Sequence, residues 1–331
     1  MIKKYYKILL VLFFVAFESA GSYAQQLPVF TQFPTDLLFF NPAIAGTKRL
    51  YDVRINYRDQ WVGIPGAPIT EGLSLNYRLL NGKMGVAAYL YQDITGPTQR
   101  NDYTVCYSYH LKLPDLIVSL GVAGSMVDYI ADGQKMTIQN PSDPAIDIGV
   151  TANSWTPNAS AGFYLYNDRW QFGLSVDNLI QQDAKLYKKY TASPEDTSTT
   201  GIVTLLPHFY GYLGYNFSGN ANYVWQNSLF VEQSGSTPLY LAYSLRVHVK
   251  EKFYAGFSLR LKDAVSIDLG YTIKDNFEIC YSYDFITSAL SHYTSGTHEF
   301  GIIWSADNIG KKEHRGDSFD QFQKKKYGYM F

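Results

Sequence analysis

Residues 30–46 read Phe30-Thr-Gln-Phe-Pro-Thr-Asp-Leu-Leu-Phe-Phe-Asn-Pro-Ala-Ile-Ala-Gly46, a stretch that combines large apolar side chains with strand-breaking residues. Pro34 and Pro42 each remove a backbone donor that a β-ladder needs, and Asn41-Pro42 and Gly46 are typical of turns. Because a long series of alternating strands follows, we predict that residues 25–49 form a plug segment inside a closed sheet. The residues of this candidate plug motif are Phe30, Phe33, Asn41, Pro42 and Gly46.

The residues before this stretch predict export from the cytoplasm. Lys3, Lys4 and Lys7 form a basic head, Ile8–Phe17 is apolar, and Ser22-Tyr23-Ala24 resembles a cleavage site. This order is typical of a secretory signal peptide, which we assign to residues 1–24. No later stretch approaches the roughly 18 apolar residues that a transmembrane helix needs.

Composition narrows the class of exported protein. Aromatic residues make up 16% of the chain, with 29 Tyr, and 28 Lys and Arg balance 29 Asp and Glu. The balanced charge gives no indication of a nucleic-acid partner. An aromatic-rich, strand-rich exported chain is typical of an outer-membrane β-barrel, whose partner is membrane lipid. A soluble secreted β-protein is the alternative.

Alternation along the strands predicts the architecture. The first strand places Tyr51, Val53, Ile55 and Tyr57 opposite a polar series, a period of two. The same pattern recurs up to residue 305, and the predicted strands are 51–58, 72–79, 83–92, 102–112, 116–128, 157–166, 169–177, 204–216, 223–232, 239–248, 253–262, 264–273, 276–284 and 297–305. The predicted fold is all-β, a transmembrane antiparallel β-barrel of about 14 strands over residues 50–305 with the plug segment in its lumen.

The links between these strands alternate in length. Bacterial outer-membrane barrels have short periplasmic turns and longer outer loops, which predicts an orientation here. The polar residues 306–331 would then form a periplasmic tail. Long predicted links are 59–70, 93–101, 129–156 and 178–203, and short ones are 80–82, 113–115 and 167–168.

Charged side chains on the polar faces are expected to line the lumen. Closure of a barrel brings the first strands beside the last ones, so opposite charges on these strands are predicted to meet around the plug, with Arg54 opposing Glu299. A solvated lumen without specific pairs is the alternative. The candidate lumen charges are Arg54, Arg58, Arg78, Glu278, Asp284 and Glu299.

The sequence predicts neither an enzyme nor a cofactor site. Six His are scattered without metal-ligand spacing, and no nucleotide-binding or nucleophile motif occurs. We therefore assign no catalytic, cofactor-binding or metal-binding residues. Tryptophans near strand ends, such as Trp155 and Trp304, are more typical of an interfacial girdle than of a sugar site.

Several motifs together resemble one known family, the PorP/SprF outer-membrane proteins. They are Phe30-Thr-Gln-Phe33, Asn41-Pro-Ala-Ile-Ala-Gly46, Arg54-Ile-Asn-Tyr-Arg-Asp-Gln-Trp61, Tyr281-Ser-Tyr-Asp284 and Gly296-Thr-His-Glu-Phe300, spread over residues 26–305. The resemblance implies a non-enzymatic barrel of the type IX secretion system of Bacteroidota, located in the outer membrane. It also implies that the protein helps to export or anchor a secreted surface protein or gliding adhesin. Other type IX secretion or gliding components would then be its partners.

Two other functions remain open on the residues alone. A porin-like or fatty-acid-type transporter also fits a barrel that is plugged near its N-terminus. A barrel enzyme is a third possibility, for which Ser291-His292 and His298-Glu299 are too isolated to define a site. Only the role in type IX secretion accounts for the whole series of motifs.

Overall fold

A computed structural model describes residues 29–79, 82–136, 151–180, 183–188, 199–220, 222–235, 237–250, 252–273 and 276–306. Fourteen of its strands form one closed antiparallel barrel, which confirms the predicted all-β barrel. The predicted signal peptide, and the predicted tail beyond Ala306, lie outside the described residues. Within these residues, no helix has the length and apolarity to cross a membrane.

The strands follow each other around the barrel in chain order, with one interruption. Strand β7 pairs with β10, because β8 and β9 form a separate two-stranded sheet, and β16 pairs with β1 to close the ring. The strands are β1 (Tyr51–Asp59), β2 (Ile69–Leu79), β3 (Met84–Thr95), β4 (Thr98–Lys112), β5 (Ile117–Asp132), β6 (Thr151–Tyr166), β7 (Trp170–Asp177), β8 (Asp183–Lys188), β9 (Thr199–Thr204), β10 (His208–Asn220), β11 (Tyr223–Ser234), β12 (Tyr240–Val249), β13 (Phe253–Arg260), β14 (Ala264–Ile273), β15 (Phe277–Ile286) and β16 (Thr297–Ala306).

The two faces of the closed sheet differ in polarity. Along β1 the polar residues Asp52, Arg54, Asn56 and Arg58 are buried, whereas Ile55 is half exposed. A closed barrel pairs its backbone groups between strands, so an apolar outer face can contact lipid without unsatisfied donors. Exposed apolar residues that form this outer face include Leu75, Leu90, Val105, Leu120, Leu174, Leu213, Leu269 and Ile302.

Aromatic pairs flank the apolar band at both ends of the barrel. Tyr103 and Trp155 stack with ring centroids 5.7 Å apart, near the end that carries the long loops. Trp170 and Tyr215 lie 4.4 Å apart at the opposite end, where short turns join the strands. These positions are typical of interfacial girdles. We call the two ends of the barrel the long-loop end and the short-turn end.

The predicted long link at 93–101 is wrong. Strand β3 continues to Thr95 and β4 begins at Thr98, so only Gly96 and Pro97 connect them. Gly96 has a φ of +56°, which a residue without a side chain adopts at little cost. Polar residues here extend the two strands rather than forming a loop.

Two further predicted links contain more strand than expected. Strand β6 begins at Thr151 and includes Pro157, opposite Met126 of β5. Pro157 lies beyond the part of β6 that pairs with β7, where the ladder partner of β6 is β5. A proline is tolerated at such a strand edge. The link 178–203 contains β8 and most of β9.

The N-terminal segment, residues 29–46, is irregular apart from two short 3-10 helices, Leu37–Phe39 and Pro42–Ile44. Asn41 caps the second helix by accepting a hydrogen bond from the amide of Ala43 at 2.9 Å. The main hydrophobic core lies between this segment and the buried faces of the strands. Segment residues in this core are Val29, Phe30, Phe33, Leu37, Leu38, Phe40, Ala43, Ile44 and Ala45.

The outer face of β4 provides a test of the lipid contact. Val105, at the middle of the strand, is 66% exposed, and Leu111 lies on the same face near the short-turn end. We expect Val105→Arg to lower the free energy of unfolding by roughly 2–4 kcal/mol, and Leu111→Arg by about 0–1 kcal/mol, because the cost of a charge depends on its depth in lipid. Reversible unfolding in phospholipid vesicles measures both. Equal effects of the two substitutions would contradict this assignment of the membrane midplane.

Candidate functional site

A buried charge cluster joins the N-terminal segment to the strands that close the barrel. Arg58 on β1 contacts Glu299 on β16, with Nη1 and Oε2 2.8 Å apart. Its Nη2 lies 2.9 Å from Oδ2 of Asp284 on β15. Arg58 and Glu299 are direct neighbours in the register of β1 and β16, so strand pairing alone places them side by side.

Thr31 of the N-terminal segment completes this cluster. Its amide donates to Oε2 of Glu299 at 2.8 Å, and the amide of Gln32 donates to Oε1 at 3.0 Å. The Thr31 hydroxyl donates to Asp284 at 2.8 Å and accepts from Arg58 at 2.8 Å. Both Glu299 oxygens therefore have partners, although the residue is only 1% exposed.

Arg260 on β13 supplies a second positive charge to the cluster. Its Nη2 lies 2.6 Å from Asp284, and its Nε lies 3.0 Å from Asp263 in the adjoining turn. Arg58 and Arg260 thus balance the charges of Asp284 and Glu299 in a water-poor environment. Removing one member of such a group leaves an uncompensated buried charge. The resulting loss of folding free energy is larger than the stabilisation that an exposed ion pair provides.

The remaining predicted lumen charges lie elsewhere. Arg54 pairs with Asp52 on its own strand, with Nε and Oδ1 2.6 Å apart, and its Nη1 donates to the carbonyl of Thr35. The expected opposition of Arg54 and Glu299 is therefore wrong, because the register aligns Arg54 with Ile303. Arg78 donates to the carbonyl of Gly46 at 3.3 Å.

Glu278 lies near the short-turn end of β15, apart from the charge cluster. Its Oε2 accepts a hydrogen bond from the hydroxyl of Thr272 on β14 at 3.4 Å. The structure thus brings together Arg58, Asp284 and Glu299 from the predicted set. Functional roles for all six charges stay predictions.

Serine hydroxyls on the barrel wall satisfy the carbonyls of the irregular segment. Ser175 donates to Phe40, Ser119 to Ala43 and Ser108 to Ala45, each at 2.6 Å. Buried carbonyls outside regular secondary structure need such partners, because no ladder supplies them.

Glycines on the wall allow the segment's backbone to approach closely. A Cβ at Gly121 would lie 2.3 Å from the amide nitrogen of Ala43, and one at Gly85 would lie 2.2 Å from the carbonyl oxygen of Ala45. A Cβ at Gly162 would lie 2.0 Å from Oδ1 of Asn41. These three positions therefore require the absence of a side chain for the observed packing.

Aromatic rings form the contact on the other side of the segment. Phe33 lies 5.3 Å from Phe230 between ring centroids, and Phe40 lies 4.9 Å from the same ring. Phe39 contacts Tyr89 at 5.0 Å in an edge-on arrangement. Tilted and edge-on pairs of this kind add to the stabilisation from apolar burial.

One carboxyl group of the segment lies outside the charge cluster. Asp36 is 3% exposed and accepts hydrogen bonds from Asn56 at 3.2 Å and from Ser74 at 3.4 Å.

Two small cavities lie beside the segment. One cavity of about 30 Å³ lies among Phe39, Tyr89, Tyr91 and Arg100. The other, of about 10 Å³, lies beside Phe40. Spaces of this size admit one or two water molecules. Among the residues that the structure describes, no group of three or more His, Cys, Asp or Glu is placed to hold a metal ion.

A match to a known protein family identifies the family of this chain. The model of the type IX secretion system membrane proteins PorP/SprF matches residues 22–304, most of the chain. The chain belongs to the PorP/SprF family. A membrane protein of this family with a closed barrel and an apolar outer face is located in the outer membrane.

Other comparisons describe the architecture alone. No curated protein matches the chain. A FadL homologue of Pseudomonas aeruginosa is 12% identical over 81% of this chain and 93% of its own, with a TM-score of 0.45. The toluene transporter TbuX of Ralstonia pickettii is 10% identical over 81% of this chain and 92% of its own, with a TM-score of 0.47. At these scores neither likeness bears on what this PorP/SprF member does.

Several residues of the site carry no recognisable signal in the PorP/SprF sequence. Arg260 lies on the buried face of β13, as its alternation indicates, but nothing in the sequence links it to Asp284. Thr31 falls inside the candidate motif without being distinguished from its neighbours. Ser119 and Gly121 resemble any small residues on a polar face, so their contacts emerge only from the fold.

The register of β1 and β16 predicts which arginine is coupled to Glu299. In a double-mutant cycle, Arg58→Leu and Glu299→Gln should show a coupling energy of about 0.5–3 kcal/mol, because the two side chains are in contact. Arg54→Leu and Glu299→Gln should add within about 0.5 kcal/mol, because they share no partner. Unfolding by urea in detergent micelles measures each variant. Coupling of Arg54 but not Arg58 would contradict the observed register.

Two glycines of β5 test the contact between segment and wall. Gly121→Ala should lower the free energy of unfolding by about 1–3 kcal/mol, since the new Cβ overlaps the backbone at Ala43. Gly124→Ala, on the exposed face of the same strand, meets nothing within 4 Å and serves as the matched control. Thermal unfolding monitored by the heat-dependent shift in electrophoretic mobility compares them. Identical midpoints would show that Ala43 does not approach Gly121.

Proposed function

We propose that this protein is a non-enzymatic outer-membrane barrel that retains a secreted surface protein or gliding adhesin through its long loops. Its lumen is closed by the N-terminal segment acting as a plug. The observation that carries the proposal is the set of contacts that this segment makes around the ring. Membership of the PorP/SprF family supports a role in type IX secretion, and a bacterium of the Bacteroidota is the corresponding source.

The positions of the segment's contacts support a closed lumen. The segment contacts charged residues of β1, β15 and β16, serines of β4, β5 and β7, and aromatic rings of β3, β10 and β11. These contacts are spread around the ring, and two small cavities of about 30 and 10 Å³ lie beside the segment. A barrel filled in this way conducts solutes poorly but forms a rigid support for its loops.

Two described loops at the long-loop end form a joined surface for a partner. Residues 60–68 and 287–296 are joined because the amide of Val62 donates to Gly296 at 2.8 Å, and the amide of Ser295 donates to Val62 at 2.9 Å. Tyr293 projects from this surface and is 74% exposed. An exposed aromatic residue on a rigid support is typical of the residues that dominate protein–protein contacts. Other type IX secretion or gliding components would engage the periplasmic turns or the C-terminal tail.

Electrical measurement tests the closed lumen. The intact protein in planar bilayers should conduct little, and removal of residues 25–46 should produce a steady increase in conductance. A variant that lacks residues 307–331 is the matched control, because the deletion leaves the segment in place and should conduct like the intact protein. A large conductance from the intact protein would contradict the plug and favour the transporter.

A deletion strain tests retention of a partner. Loss of the gene should leave growth on small nutrients unchanged, while one large secreted protein disappears from the cell surface. Tyr293→Ser should reduce the surface amount of this protein without changing the amount of folded barrel. The control is Leu239→Ser, because Leu239 is also exposed and lies outside the strands. Normal surface proteins in the deletion strain, together with impaired uptake of apolar nutrients, would overturn the proposal.

A further inference from the structure

Three basic side chains come together at the short-turn end of the barrel. Arg78 is the penultimate residue of β2, Lys83 directly precedes β3, and Lys112 is the last residue of β4, and these strands are neighbours in the ring. Arg78 also donates to the carbonyl of Gly46 at 3.3 Å, so the group lies where the N-terminal segment leaves the lumen. We call Arg78, Lys83 and Lys112 the basic patch.

The basic patch faces the mouth of the lumen rather than the lipid. On β4, His110 is buried and Leu111 is 45% exposed, so alternation places Lys112 on the lumen side. Arg78 shares the face of buried Asn76 on β2 by the same rule. Lys112 is exposed although it is on this inner face, because it lies at the rim. The patch is therefore directed at the aqueous space outside the mouth.

The members of the basic patch repel one another. Arg78 and Lys83 are the charges that act on Lys112, and both are positive. Asp115 lies in the turn that follows β4, but its carboxylate is not among the charges that act on Lys112. Like charges at close range destabilise a fold, and an anion bound between them removes that cost.

Basic side chains continue around the same mouth. Arg169 lies in the turn between β6 and β7, and Lys250 and Lys252 lie in the turn between β12 and β13, all three of them exposed. Asp168 stands beside Arg169 in the sequence and is half-buried. The described part of this rim thus presents several exposed cations on separate turns, which extends the field of the basic patch.

We propose that the basic patch is a docking surface for an acidic segment of a soluble protein, in which several Asp or Glu side chains lie close together. Its direction away from the lipid favours a soluble partner over phospholipid headgroups. Long, exposed lysines on separate strands suit several carboxylates better than one small ion, since each ammonium group is an independent point charge. Attraction of this kind speeds association and weakens as salt is added.

This docking surface rests on the proposed function in one respect, because the component that engages the short turns there is the partner whose chemistry is named here. An acidic segment bound at the basic patch would lie beside Gly46, the residue that Arg78 holds at the end of the N-terminal segment. Binding to the purified barrel involves neither retention of a surface protein nor conductance. A negative result is therefore distinguishable from failure of the proposed function.

Two exposed lysines at the long-loop end supply the matched control. The Nζ of Lys135 lies 3.6 Å from Oδ2 of Asp132, and Lys262 directly precedes Asp263. Each thus has an acidic neighbour, in contrast to Lys112. Replacing this pair removes the same net charge as replacing Lys83 and Lys112.

Fluorescence anisotropy with the full-length protein in phosphatidylcholine nanodiscs tests the proposal, because nanodiscs leave both mouths accessible. The probe is a fluorescent oligoglutamate peptide, and an oligoglutamine peptide of equal length is the neutral reference. The proteins compared are the unsubstituted chain, the double variant Lys83→Gln/Lys112→Gln and the control variant Lys135→Gln/Lys262→Gln. Heat-dependent electrophoretic mobility verifies that each one is folded.

The oligoglutamate peptide should bind the unsubstituted protein, and the double variant should bind it roughly 2- to 30-fold more weakly, the combined effect of two exposed ion pairs. The control variant should bind like the unsubstituted protein. Added NaCl should weaken binding to the unsubstituted protein, a readout that needs no substitution.

Equal binding by the double variant and the unsubstituted protein would overturn the proposal, as would equal losses in both variants or equal binding of the two peptides. Phosphatidylglycerol provides the test for lipid. If this lipid raises the unfolding midpoint of the unsubstituted protein but not that of the double variant, the lysines hold lipid headgroups and the proposal is wrong. Equal midpoint shifts in both proteins support the soluble partner.

Discussion

The carboxylate of Glu299 needs partners that no single part of the chain can supply. At 1% exposure it has lost its hydration, and it regains interactions from the guanidinium of Arg58 and from the amides of Thr31 and Gln32. Arg58 and Glu299 stand opposite each other where β1 and β16 close the ring. Closure of the barrel and binding of the N-terminal segment therefore stabilise each other, because each satisfies a charge that the other leaves buried.

The rest of the wall is adapted to an irregular backbone. Serines donate to carbonyls that no ladder satisfies, and glycines such as Gly121 leave space for the main chain. Aromatic rings around Phe230 pack against the opposite side of the segment. Together these contacts explain how a segment that contains Pro34 and Pro42 lies inside a barrel at the depth of the membrane. An unpaired carbonyl there would lower the free energy of unfolding by several kcal/mol.

These features connect the fold with the proposed role in secretion. In the proposed function the N-terminal segment occupies the lumen, and the two ends of the barrel are then its accessible surfaces. In the proposed function, the joined loops around Val62 and Gly296 form the partner surface at the long-loop end. In the same proposal, the compact turns of the short-turn end face the periplasm and the envelope machinery. Retention of a partner uses such a rigid support, whereas diffusion of solutes requires the space that the segment occupies.

Alternation in the sequence determined the number of barrel strands and the faces of their side chains, because an apolar outer face in lipid forces polar residues inward. It placed Arg54, Arg58 and Glu299 on buried faces, and the motif around Asn41 marked a segment that does not join the sheet. Which arginine meets Glu299 was decided by the tertiary structure. Residues 54 and 58 share one face, so their alternation is identical, and only the register imposed by closing the ring distinguishes them. The same limit applies to Gly121, since a small residue on a polar face is indistinguishable by sequence from one that faces the segment's backbone.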